Sequence, residues 1–191
     1  MADGRSILAE WNRLDAASAA EVILPCNGSR AWAESVAGMR PLIKNTELFE
    51  AADRVWQSLP EADWQEAFDS HPRLGERKVK AATEKSLRWS AQEQSAANPD
   101  EAAREALARG NAEYEAKFGR TFLLCATGRS AEEMLTILRR RMQSDAATEL
   151  REAAEQQRLI TRLRLRKWLQ MPALTCAQLA EKAREKSEEA A

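Results

Sequence analysis

The strongest constraint on this chain is that apolar residues recur at helical spacing along almost its whole length. Between residues 46 and 59, Leu48, Phe49, Ala52, Val55, Trp56 and Leu59 make one unbroken stripe behind Asn45, a candidate cap. Shorter runs repeat the pattern at Ile7, Leu8, Trp11 and Leu14, and at Trp32, Val36 and Met39 up to Arg40-Pro41. It returns at Trp64 and Phe68 after Pro60, and at Leu107, Tyr114 and Phe118 before Gly119, a plausible C-terminal cap. Leu135, Leu138 and Met142 carry it again, and a last long helix is expected over roughly 146–170, ending before Pro172. With only 7 Gly and 6 Pro in 191 residues, little interrupts these runs. Ala, Leu, Glu and Arg, all strong helix formers, dominate between them. The expectation is one compact all-α domain over residues 1–171, followed by a charged helical tail over 172–191.

Local signals punctuate the helices. Ser18 with Glu21, Ser90 with Glu93 and Ser130 with Glu133 each read as a capping box at a helix start. Pro25 should soon stop the helix begun at Ser18. His71-Pro-Arg-Leu-Gly-Glu76 breaks the periodicity, because Pro72 pushes His71 toward an extended backbone. A polar, Lys-rich stretch follows to Lys85, and Phe122-Leu-Leu-Cys-Ala126 is either an extended run or the foot of a helix.

Composition then excludes whole classes of function. Lys and Arg number 29 against 30 Asp and Glu, so the basic excess expected of a nucleic-acid or membrane-surface protein is missing. A single histidine rules out a zinc site built on a His pair. Cys26, Cys125 and Cys176 are far apart, without a Cys-x-x-Cys spacing, and read as reduced thiols of a cytoplasmic protein. The first residues lack the apolar core of a signal peptide, and no apolar run approaches the ~20 residues of a membrane span.

Three candidates remain for chemistry. His71, in a loop, is the one side chain whose ordinary pKa of ~6.5 suits proton exchange near neutrality. Glu93, in its capping-box position, can face a pocket, with Gln94 offering an amide to a ligand. Arg158, Arg162 and Arg166 form a stripe expected to face solvent. Arg164 projects from an apolar stretch and needs a carboxylate, either internal or on a ligand.

Four segments, in order, carry a resemblance. They are His71-Pro-Arg-Leu-Gly-Glu76; Trp89-Ser-Ala-Gln-Glu-Gln94; Tyr114-Glu-Ala-Lys-Phe-Gly119 with Phe122-Leu-Leu-Cys-Ala-Thr-Gly128; and Ile160-Thr-Arg-Leu-Arg-Leu165. Together with Trp32 and Arg40-Pro41, this series resembles the 2-oxo-4-hydroxy-4-carboxy-5-ureidoimidazoline (OHCU) decarboxylase family of urate degradation, over about residues 7–170. Arg120-Thr121 replaces the Phe-Pro of animal members, a bacterial-type variation. The resemblance implies an all-helical homodimer without metal or organic cofactor that removes CO2 from OHCU, its small-molecule substrate, to give (S)-allantoin. It implies that His71 is the catalytic acid–base and that Glu93 binds the substrate hydroxyl or orients the imidazole. Arg164 would hold the carboxylate or the developing oxyanion. Pro72, Ser90 and Gln94 would line the pocket, and main-chain groups of Phe122, Leu123, Leu124, Cys125 and Ala126 would bind the imidazolone and ureido amides. Two other readings compete: a non-enzymatic helical interaction module, with the Arg stripe or the charged C-terminal tail as its docking face and a large apolar patch on the last helix, and a hydrolase pairing Cys125 with His71.

Overall fold

The computed structural model describes residues 4–73, 83–94 and 100–181, with side chains from Ile7 onward and, in the second stretch, up to Glu93. Among the described residues the chain forms, in order, α1 (Gly4–Asn12), α2 (Ala16–Asn27), α3 (Arg30–Gly38), α4 (Asn45–Ser58), α5 (Glu61–Asp69), α6 (Glu84–Gln94), α7 (Glu101–Phe118), α8 (Ala131–Arg141) and α9 (Ala146–Trp168). Residues 176–181 are helical again, and no strand occurs among the described residues. None of the described helices is long and apolar enough to cross a membrane.

The stripes read from sequence are the faces that are buried. Leu48, Ala51, Ala52, Val55 and Trp56 of α4 turn inward, and α4 packs on α3 and α9. Leu14 and Met39 lie just beyond α1 and α3 and stay exposed. The indoles bury their rings without abandoning their N–H groups. Trp11 Nε1 donates to Ala19 O (2.8 Å), Trp32 Nε1 to Ala52 O (3.1 Å) and Trp56 Nε1 to Ala154 O (2.9 Å), so each ring also ties two helices or segments together.

Gly119 ends α7 at φ +68° and Ser130 opens α8 with a capping box, both as expected. The other two boxes are not helix starts. Asp15 caps α2, accepting from Ser18 N, and the helix runs through Pro25 to Asn27 before Gly28 ends it at φ +100°. In the last turn Pro25 forfeits a single ladder bond, and its carbonyl is taken by Arg164 instead. Likewise α6 begins at Glu84, with Thr83 Oγ1 accepting from Ser86 N, so Ser90 and Glu93 sit in its closing turns. A spacing of three that suits a capping box also places both side chains on one helix face, and here the second consequence prevails.

The 122–126 segment is extended, and its alternation divides the interior. Leu123 and Cys125 join the main core of α1–α5 and α9, whereas Phe122, Leu124 and Ala126 join a second cluster with α7 and α8. Cys176 and Leu179, from the segment expected as a tail, are buried in the main core, and residues 182–191 lie outside the described residues.

Here the cysteine expectation is corrected. Cys125 and Cys176 are joined by a disulfide, and only Cys26 is free, buried with its thiol pushed up to about 12 by burial. The two partners are 51 residues apart, a separation that hides their proximity. The chain returns after α9 to lie along the 122–128 segment, where Cys176 N donates to Thr127 O (3.4 Å). A disulfide-bonded Cys125 presents no thiolate, which removes the hydrolase reading. Leu159, Ile160, Leu165 and Leu169 are all buried, so these residues offer no apolar docking patch on the last helix.

Candidate active site

His71 is fixed by the way α5 ends. Ser70 terminates the helix, its Oγ donating to Ala67 O (2.7 Å), and His71 N donates to Phe68 O (3.1 Å). Gly28 permits this turn to sit close, since a Cβ there would lie 2.1 Å from Ser70 Oγ. Beyond Pro72, Arg73 grips Glu115 of α7 through two bonds of 2.6 Å. The imidazole is thereby held inward, 5% exposed.

It faces a cleft of about 310 Å³, counting its open mouth, lined by His71, Pro72, Ser90, Glu93, Phe122, Leu123, Leu124, Ala126 and Ile160. Expected site residues thus converge from the end of α5, the last turns of α6 and the 122–126 segment; from α9 it is Ile160 that lines the cleft, while Arg164 stands behind Glu93 and Ser90. Cys125 is not among the lining residues: its N–H donates to Gln156 Oε1 (3.1 Å) and its carbonyl accepts from Arg129 Nε (3.1 Å). Leu123 O is also occupied, accepting from Arg141 Nη1 (2.7 Å). The side chain of Gln94, and residues Leu74, Gly75 and Glu76 of the first motif, lie outside the described residues.

Arg164 finds its carboxylate inside the protein. Nε and Nη2 form a fork onto Glu93 at 2.9 and 3.0 Å, Nη2 also reaches Ser90 Oγ (2.8 Å), and Nη1 donates to Ser86 Oγ (3.1 Å) and Pro25 O (3.2 Å). Five donors therefore meet five acceptors, and the side chain is 1% exposed. The Arg158 and Arg162 stripe also faces inward, both side chains engaging Asp53 of α4.

Burial, and secondly the nearby Arg164 cation, hold the His71 pKa well below its ordinary value, while a contact with Gln157 acts in the opposite direction. The imidazole is therefore neutral at pH 7, and protonation needs a new negative charge beside it. Among the described residues no group of three or more His, Cys, Asp or Glu side chains could hold a metal ion. Sequence reasoning passed over Gln156 and Gln157. The helical register of α9 contained the signal, since Gln157, Ile160 and Arg164 share one face at spacings of three and four.

Residues 12–166 match the family model described as OHCU decarboxylase, well over half of the chain. The chain belongs to the OHCU decarboxylase family. A uric acid degradation bifunctional protein TTL of Arabidopsis thaliana is 35% identical over 144 residues, covering 74% of this chain and 44% of the relative. This family member thus spans under half the length of that curated relative. A 2-oxo-4-hydroxy-4-carboxy-5-ureidoimidazoline decarboxylase of Amia calva is 31% identical over 137 residues, covering 70% of this chain and 77% of the relative. A crystal structure of an OHCU decarboxylase in the presence of (S)-allantoin superposes with a TM-score of 0.68 at 33% identity, covering 77% of this chain and 96% of that one. An (S)-allantoin synthase structure shares the fold, with a TM-score of 0.64 at 17% identity, covering 84% of this chain and 53% of that one.

Proposed function

We propose that this chain removes CO2 from OHCU to give (S)-allantoin, acting without a metal or organic cofactor in urate degradation. The observation that carries the reading is the buried, neutral His71 facing a small cleft beside the Glu93–Arg164 pair, in a chain of the OHCU decarboxylase family. The substrate's own C=N system accepts the electron pair when the bond to the carboxylate carbon breaks. CO2 leaves and an enol-like anion remains with its charge on the nitrogen; the tertiary hydroxyl gives up its proton as the carbonyl forms, C5 is protonated on one face, and the nitrogen takes up one further proton from water.

His71 serves as the proton acceptor and donor. Its proton affinity, lowered first by burial and then by the Arg164 cation, rises when an anionic substrate enters, because the substrate carboxylate brings a negative charge beside the imidazole. Glu93, held by two bonds from Arg164, receives the hydroxyl of the substrate. Arg164 acts through Glu93 and Ser90, and its charge stabilises the developing anion across the pocket. Ser90 Oγ accepts from Arg164, which leaves its own hydrogen for the ligand. Pro72 and the Phe122, Leu123, Leu124 and Ala126 segment complete the walls.

The reading includes a homodimer and a cytoplasmic location. Light scattering of the purified protein tests the first, a monomeric mass overturning it. Fractionation of cells followed by immunodetection tests the second: the protein should appear in the cytoplasmic fraction, and its recovery in another compartment overturns it.

For the activity, the protein is added to OHCU freshly generated from urate by urate oxidase and hydroxyisourate hydrolase. One allantoin enantiomer should form faster than the spontaneous racemate, and racemic product at the spontaneous rate refutes the assignment. His71→Ala and Glu93→Ala should each lose most of the acceleration while keeping their helical circular dichroism.

A further inference from the structure

We propose that Gln157 is the positioning residue of His71: its side-chain oxygen takes the imidazole Nε2–H, which leaves Nδ1 as the basic nitrogen of the site. The assignment of His71 as proton carrier belongs to the function proposed above, whereas the tautomer stands on the geometry alone.

Two buried atoms carry the inference. His71 Nε2 and Gln157 Oε1 are each shut off from water and neither has a hydrogen-bond partner, and Gln157 is the polar side chain that acts on the imidazole. Buried polar atoms are rarely left alone in native proteins, so a lone ring nitrogen facing a lone amide oxygen is most economically a donor and its acceptor.

The amide cannot be turned around. Gln157 Nε2 donates to Asn27 O (3.0 Å), a main-chain carbonyl that can only accept. It also donates to Thr161 Oγ1 (3.2 Å). That hydroxyl has already given its hydrogen to Gln157 O (2.9 Å) and accepts from Asn27 Nδ2 as well (3.0 Å). A flipped amide would set oxygen against oxygen at both places. Asn27 and Gln157 are fully buried and Thr161 nearly so, which makes this network a rigid joint between the end of α2 and the middle of α9. Gln157 Oε1 is consequently the end of the amide that this network leaves without a donor.

The choice of an amide suits the chemistry. A neutral imidazole has one N–H, so engaging Nε2 specifies the tautomer. A carboxylate in that place would favour the imidazolium, and the amide lets His71 remain neutral beside Arg164 of α9. Glu93 of α6, forked onto Arg164, is the other charged group on the pocket.

The test exploits the fact that His71 is the only histidine of the chain. Protein labelled with 15N-histidine gives one pair of ring nitrogens in long-range proton–nitrogen spectra. At neutral pH a single tautomer with the proton on Nε2 is expected, and a proton on Nδ1 overturns the proposal without any substrate present. In Gln157→Leu both tautomers should be populated, and an unchanged single tautomer in the folded variant also overturns it. Gln157→Glu should keep the Nε2–H and raise the imidazole's apparent pKa by about one unit, since an opposite charge now faces it. In turnover of OHCU, Gln157→Leu should lower kcat by at least about tenfold with little change in KM. Gln157→Glu should restore part of that loss and move the acid limb of the pH profile upward. Should Gln157→Leu not fold, the wild-type tautomer alone decides. A tautomer change with kcat intact would strike at His71 as the proton carrier and leave the Gln157 contact standing.

Discussion

Replacing Arg141 by methionine should cost this fold more than any comparable change outside the cleft. Arg141, Glu149 and Tyr114 are all at 0% exposure, between the two halves of the interior. The guanidinium donates through Nε to Glu149 Oε1 (2.9 Å), through Nη2 to the same carboxylate and to the Tyr114 hydroxyl (3.4 Å), and through Nη1 to Leu123 O (2.7 Å). The Tyr114 hydroxyl donates to Glu149 as well, and burial foremost raises its pKa. Methionine fills similar volume but leaves a carboxylate with no cation, in a place where Glu149 Oε2 already lacks a partner. Removing one member of a buried pair costs about 3–5 kcal/mol. Against a total stability of about 5–15 kcal/mol this is a large share, and it corresponds to a fall in Tm of roughly 6–20 °C for a chain of this size. Urea unfolding followed by far-ultraviolet circular dichroism measures it. Two further signatures separate a stranded charge from lost packing. Arg141→Met with Glu149→Gln should recover most of the loss, and the cost of the single variant should shrink as pH falls and the stranded carboxyl takes up a proton. A single-variant cost under about 1 kcal/mol, the value of an exposed pair, would refute the reasoning, as would a double variant no better than the single one.

His71 should make stability fall on acidification. Its folded pKa lies below its unfolded value of ~6.5, so the unfolded chain binds the proton first and stability declines as pH drops below about 6.5, by up to about 1.4 kcal/mol per unit. Denaturation midpoints of the wild type and His71→Asn between pH 7 and 5 check this, and equal slopes would contradict it. Cys176→Ser opens a cross-link spanning 51 residues and should lower stability by about 2–4 kcal/mol, read as a lower Tm that reducing agent no longer changes. Gly28→Ala places a Cβ 2.1 Å from Ser70 Oγ at φ +100° and should destabilise the fold by more than about 1 kcal/mol while reducing turnover, because Ser70 directly precedes His71. Wild-type stability and rate in this variant would show that the close approach is easily relaxed.

Some of this was legible residue by residue. The α4 stripe, the α9 span, the Gly119 cap and the Ser130 box depend on neighbours within one or two turns, and local chemistry decided them correctly. Ser18 and Ser90 misled for the same local reason. A Ser-x-x-Glu spacing looks alike at a helix start and on a helix face, and only the position of Asp15 and Thr83 relative to the true starts separates the two. The candidate site was legible through its motifs, which pointed to His71, Glu93 and Arg164 as candidates while leaving the partner of Arg164 open. Gln157 and Arg141 escaped because nothing in a helical run of polar residues marks which of them will be buried.

Helix content, the break at His71 and the lack of charge bias were determined by the sequence alone, since they follow from periodicity, Pro72 and composition. The tertiary structure decided which groups meet across large separations. Arg164 spends its donors on Glu93, Ser90, Ser86 and Pro25, Cys125 reaches Cys176, and Gln157 donates to Asn27 O. Each outcome depends on burial, where a polar atom without a partner is costly. The folded chain therefore had to satisfy groups whose partners lie 51 to 139 residues away. No local pattern encodes that requirement.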